Sequence, residues 1–227
     1  MSLLRCAITG SHGTGKSTII AELGRRAQDQ LEADVITITS PTRYVKSLGF
    51  ANNLNLDYKT EMMCLVLRVE RQKSALLSAE AIVQSGRSCI ILADRCCLDE
   101  LSYTRDAIEE IRQHANPTRS MDLRQSRLQG VYNLFYDWML EDVNLYWDVL
   151  GYKPPHPDFP PEADGDRLGD RTYQFNVDRH ILYHFEKLHM SPAPEGSTLE
   201  TVELDPDMHV ATDELWTMIQ ERVATSV

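Results

Sequence analysis

Gly10-Ser11-His12-Gly13-Thr14-Gly15-Lys16-Ser17 follows a short apolar run, Leu3 to Thr9, and opens a stretch of helical character, Thr18 to about Leu31. The octet fits G-x-x-x-x-G-K-[ST], a loop whose backbone N–H groups cradle phosphate oxygens between a strand and a helix. Glycines 10, 13 and 15 supply the positive-φ turns and the lack of a Cβ that a close anion needs. The positive end of the following helix adds to the attraction. In this arrangement Lys16 reaches the β- and γ-phosphates and the Ser17 hydroxyl binds Mg²⁺. Gly10 through Thr18 are the expected triphosphate-binding residues, with ATP and Mg²⁺ as cofactors.

Working outward, the chain alternates strand and helix signals. Asp34 to Thr39 is β-branched and reads as a strand. Asp57 to Gln84 carries apolar residues at three- and four-residue spacing, one long helix that Gly86 stops. Cys89 to Ala93 is a continuous apolar run, the pattern of a strand buried on both faces. Leu98 to Gln113 and Leu123 to Leu140 read as helices, and Trp147 to Tyr152 as a fourth strand. Tyr173 to Leu188, Thr198 to Leu204 and Pro206 to Val223 read as helix, strand and helix. Such alternation predicts parallel pairing with helices on both faces, an α/β three-layer, doubly wound sheet of about five strands. The whole chain, 1–227, reads as a single domain with 153–178 as a lid or insert. No repeat interrupts it.

The formal net charge is −11 over 227 residues. An acidic surface repels nucleic-acid phosphate at long range, which disfavours an extended nucleic-acid footprint while leaving a small nucleotide acceptable. The five cysteines, 6, 64, 89, 96 and 97, show no C-x-x-C spacing. They read as reduced thiols of a cytoplasmic protein. Neither a leader nor an apolar run of membrane-spanning length is evident. Oligomeric state is open, a homodimer included.

The Cys89–Ala93 run ends at Asp94-Arg95, with Asp99 shortly after at the head of a helix. In a parallel sheet that strand end opens on the same edge as the glycine loop. Asp94 there serves the Mg²⁺ shell or takes a proton from an acceptor hydroxyl, and Arg95 holds phosphate. The alternative is structural: Asp94 caps the next helix and Arg95 pairs with Asp99 or Glu100.

Taken together, Gly10–Thr18, Asp94-Arg95 with Leu98-Asp99-Glu100-Leu101, and Asp164-Gly165-Asp166-Arg167 resemble the P-loop nucleoside and nucleotide kinases. Thymidylate kinase and the nicotinamide riboside kinase-like group of small ATPases are the nearest in pattern. The resemblance implies a parallel sheet, an acid-arginine pair at the third strand and an arginine-bearing lid that closes over ATP. Two departures stand out. Ser40, in Ser40-Pro41-Thr42-Arg43, occupies a position where the riboside-kinase group often has glutamate, and Gln174 stands where a second lid arginine is expected.

In that lid, Arg167 and Arg171 are the candidates to stabilise charge on the transferring phosphoryl group; the alternative is a solvated loop. Arg68 and Arg71, three apart on the long helix, join Arg43 and Asp99 as expected acceptor-binding residues, unless the two helix arginines pair with Glu61, Glu70 or Glu80. Tyr44, Phe50 and Tyr58 are candidates to stack on a base. The expected activity is transfer of the ATP γ-phosphate to a nucleoside or nucleoside monophosphate, with Lys16, Asp94, Arg95, Arg167 and Arg171 as catalytic residues. A kinase acting on a modified base or end within DNA, held by Arg43, Arg68, Arg71 and Lys73, and a nucleotide-switched ATPase without a small acceptor remain the alternatives.

Overall fold

A computed structural model of the chain describes residues 2–50, 56–113, 118–158, 170–190 and 193–225. Five strands, β1 (Leu3–Thr9), β2 (Asp34–Ile38), β3 (Cys89–Asp94), β4 (Val149–Tyr152) and β5 (Glu200–Glu203), form one sheet in the order β2-β3-β1-β4-β5. Every pairing is parallel. Each strand-to-strand crossover therefore carries helices, and the sheet is covered on both faces.

The two faces are sorted by the two-residue strand period. Leu4, Cys6 and Ile8 of β1, with Ile90 and Leu92 of β3, pack on α1 (Lys16–Leu31) and α7 (Met208–Thr225). Ala7, Cys89, Ile91 and Ala93 face the other layer, built from α3 (Tyr58–Gln84), α4 (Cys97–Gln113), α5 (Arg119–Tyr146) and α6 (Arg171–Met190). Fully buried Ile and Leu side chains here each contribute about 1.5–3 kcal/mol. All five cysteines are buried free thiols inside these layers.

Side chains written beside four of the helix starts fix where those helices begin. The Asp57 carboxylate accepts from the Thr60 N–H at 2.9 Å, and the Thr118 hydroxyl from the Met121 N–H at 3.3 Å. Asp170 caps α6 through the Thr172 N–H at 2.8 Å, and Asp207 caps α7 through the His209 N–H at 2.8 Å. Such caps are worth about 1 kcal/mol each.

Two expectations shift. α5 runs well past 123–140 at both ends, and Thr118 caps it early. The six-residue α2 (Thr42–Ser47) is too short to show a helical period and went unread. Of the expected lid, 159–169 lies outside the described residues, and 171–178 is the first part of α6.

Candidate functional site

The glycine loop takes its shape from left-handed backbone. Gly10, Gly13 and Gly15 have φ of +147°, +74° and +83°. At Gly10 the chain passes so close to β4 that a Cβ would stand 2.4 Å from the Lys153 carbonyl oxygen. Gly15 is the N-cap of α1, so the loop runs directly into a helix N-terminus.

Lys16, 5% exposed, folds over this loop. Its Nζ donates to the Ser11 carbonyl at 2.5 Å and to Thr14 Oγ1 at 3.0 Å. Burial, with the neighbouring Arg95 charge, lowers its pKa to about 7, against the pull of Asp94, Asp99 and Asp178.

Parallel pairing sets Asp94 opposite Ile8, two residues before the loop. The Ser17 hydroxyl donates to Asp94 Oδ2. Burial would raise this carboxyl, but Lys16, Arg95 and the Ser17 hydroxyl hold it below the usual carboxylate range. A hydroxyl and an ionised carboxylate side by side at the mouth of a phosphate loop are hard oxygen donors, the set that Mg²⁺ accepts. Asp94 does not cap α4.

Arg95 departs from the strand with φ +87°, unusual for a residue with a side chain. Its N–H donates to the Ile8 carbonyl at 3.0 Å. The guanidinium is held by Asp99 Oδ1 at 2.8 Å and by the Tyr103 hydroxyl at 3.2 Å, with Cζ 5.1 Å from the Tyr103 ring centroid. Asp99 uses its other oxygen to accept from the Cys96 N–H at 3.0 Å and from Thr9 Oγ1 at 3.1 Å. Its carboxylate thus orients Arg95 while lying in the lining of the cleft.

Arg68 is turned into the interior, away from the cleft. It is 1% exposed and pairs with Glu100 through Nε at 2.8 Å and Nη2 at 2.5 Å. Its remaining nitrogen, Nη1, donates to the Arg95 carbonyl at 2.9 Å, so Arg68 braces the strained turn from beneath. Such a residue cannot line a groove for a DNA strand. Arg71 points elsewhere, donating to the Thr39 carbonyl at 2.7 Å and tying α3 to the end of β2.

Between these elements opens a cleft of about 420 Å³. One end is the loop, His12 to Thr18. The floor is Asp94, Arg95, Asp99, Glu100 and Tyr103, and the far walls are Thr39, Ser40, Thr42, Arg43 and Lys46 from the β2–α2 edge and Thr60, Glu61 and Cys64 from α3. Arg43 is therefore at the cleft as expected, while Arg68 and Arg71 do not line it. The rings of His12 and Tyr103 line it; Tyr44, Phe50 and Tyr58 do not. Tyr103 was findable, because it lies one helical turn after Asp99.

α6 leans on the loop from the other side. The Gln174 amide, 1% exposed, donates to the His12 carbonyl at 2.7 Å, and the Tyr173 ring lies 5.4 Å from that of His12. One turn on, Asp178 accepts from the Tyr152 hydroxyl at 2.6 Å close to Ser11; its burial pushes this carboxyl upward. Arg171 does not reach the cleft. Its guanidinium donates to the Pro157 carbonyl and sits 5.3 Å from the Phe175 ring. Arg167 lies outside the described residues. His184 bonds Ser102 Oγ at 2.8 Å and the Tyr132 hydroxyl at 2.9 Å.

A glycine loop between β1 and α1, with an acid-arginine pair at the adjacent strand end of an all-parallel sheet, defines a P-loop NTPase. The family model AAA_28, described as an AAA domain, matches residues 5–139 and so covers the loop and the Asp94-Arg95 strand. The chain belongs to this AAA domain family. Its fold is also that of a thymidylate kinase from Candida albicans, with a TM-score of 0.60 at 16% sequence identity, over 96% of this chain and 92% of that one. At that identity the likeness speaks for the fold. No curated protein sequence matches the chain. Among the described residues no helix is long and apolar enough to cross a membrane.

Proposed function

We propose that the protein is an ATP-dependent phosphotransferase whose acceptor is a nucleoside or nucleoside monophosphate. The observation that carries this is the cleft itself. It runs from the phosphate loop to walls from β2–α2 and α3, so a second small molecule can approach the terminal phosphate from that side. The loop amides and Lys16 hold the β- and γ-phosphates, and Lys16 shifts from the Ser11 carbonyl to phosphate oxygen as it does so. Ser17 and Asp94 would hold Mg²⁺, which neutralises phosphate charge. Arg95, aimed by Asp99 and Tyr103, lies where the two substrates meet and offsets charge that develops on the transferring group. Asp94, ionised, also accepts the acceptor's hydroxyl proton. The β2–α2 wall with Arg43 and Lys46 takes the anionic side of the acceptor. Arg167 is assigned to the lid on the strength of the family pattern.

The test is ADP release with ATP, Mg²⁺ and a panel of nucleosides and their monophosphates. At least one acceptor raises the rate well above the acceptor-free background. Lys16→Ala removes that increment, and activity persisting in this variant would take the loop out of the mechanism.

A further inference from the structure

On the α3 wall of the cleft sits a carboxyl group with unfilled hydrogen-bonding capacity. Glu61 is 2% exposed and lines the cleft. Its Oε1 makes no well-formed hydrogen bond, and neither does the buried Thr104 Oγ1, a hydroxyl near enough to act on the Glu61 carboxyl. Glu100, also at the cleft, does not share this condition, because Arg68 grips both its oxygens at 2.8 and 2.5 Å. An unpaired buried polar oxygen costs about 1–3 kcal/mol, a cost that a bound partner removes.

We propose that Glu61 reads the base of the acceptor, its carboxyl group hydrogen-bonding an edge of a planar nitrogen heterocycle that carries a donor beside an acceptor. This rests on the assignment of the cleft to a nucleotide-like acceptor and deepens it. Burial first, and the Glu100 charge second, raise the Glu61 carboxyl well above the ordinary carboxylate range, against the Thr104 hydroxyl and the Arg68 charge, and so favour its protonated form. A protonated carboxyl offers an O–H and a C=O side by side. That pair matches the amide or amidine edge of a nucleobase with two parallel hydrogen bonds. It does not match phosphate, which presents acceptors and negative charge only. The cleft is therefore divided, with the base on α3 and the anionic part toward Arg43 and Lys46 on the β2–α2 side.

The experiment is calorimetric titration of the full chain, without ATP, by the four nucleoside 5′-monophosphates and by ribose 5-phosphate, which lacks a base. Wild type is expected to prefer its best nucleotide over ribose 5-phosphate by about tenfold or more, since one bidentate pair is worth at least 1.4 kcal/mol. Glu61→Met, similar in length but without hydrogen bonding, removes that preference and leaves ribose 5-phosphate and ATP affinities within about twofold. Glu61→Gln, with an amide donor and acceptor in the same places, keeps the preference within about threefold. Should Glu61→Met fail to fold, N-methylation at the edge of the preferred base tests the same bond on wild-type protein, with about tenfold loss expected.

The proposal is overturned if wild type shows no base preference, if Glu61→Met keeps it, if ribose 5-phosphate weakens in parallel, or if methylation is without effect. ADP release is scored separately. Base discrimination lost in Glu61→Met without any acceptor-stimulated ADP release sinks the kinase assignment and leaves this one. ADP release with unchanged discrimination does the reverse.

Discussion

Lys16 is an amine buried in the glycine loop, and its chemistry follows from that. Burial and Arg95 bring its pKa down to about 7. A bound triphosphate favours the ammonium form, so its pKa rises on binding and a proton is taken up wherever the free amine is neutral. Affinity for ATP is therefore full below about pH 7 and falls above it, at most tenfold per pH unit. Titrations from pH 6.5 to 9 should show this slope in wild type, and a flat profile would contradict it. Gly10 gives a second prediction at this scale. Gly10→Ala forces a Cβ against the Lys153 carbonyl oxygen, a backbone atom that cannot rotate away, at a φ of +147°. A destabilisation of at least about 1–3 kcal/mol, measured by denaturant melts, is expected along with weaker nucleotide binding. These loop residues were legible in sequence because they are contiguous and each meets a local requirement. Arg68 was legible as a charge but not as a role, because its partner, Glu100, is brought to it by the fold, whereas the Arg95–Asp99 pair, four residues apart, was open to a sequence reading. Glu61 had no sequence signal beyond its helix face.

Among elements, the α3–α4 contact is where the fold supports the proposed catalytic turn. The Arg68–Glu100 pair is buried, and its third bond supports the Arg95 carbonyl in a left-handed turn. Arg68→Ala leaves Glu100 buried and unpaired, so a loss of about 3–5 kcal/mol is expected in thermal or chemical melts. Replacing both partners, as Arg68→Met with Glu100→Leu, should recover much of that stability, since buried pairs are often no better than apolar packing. Activity should stay low in the double variant, because the Arg95 turn has lost its brace. Recovery of both together would show that Arg68 matters only for folding. The elements themselves were largely readable, since apolar runs and capping residues mark β1, β3, α1 and α3 in the sequence. α2 was not, being too short for a period, and its loss from the prediction hid Lys46 as a cleft residue. The contact of α6 with the loop was also invisible. Gln174 looked like a missing arginine, whereas its amide is spent on the His12 carbonyl.

At the scale of the molecule, the strand order brings the carboxyl ends of β1, β2 and β3 to one edge, and the cleft forms there. Alternating strands and helices foretold this edge, and the family match over residues 5–139 covers the part of the chain that builds it. What the sequence could not convey is the chamber, since its walls come from Thr39–Lys46, Thr60–Cys64 and Asp94–Tyr103, segments that meet only in space. The chamber is the reason to expect phosphoryl transfer to a second small molecule instead of to water. Acceptor-dependent ADP release tests that most directly, comparing wild type with Lys16→Ala across nucleosides and monophosphates. The account predicts that one acceptor class multiplies the wild-type rate and leaves Lys16→Ala at background. A slow wild-type rate that no acceptor changes would contradict it and mark a nucleotide-switched ATPase.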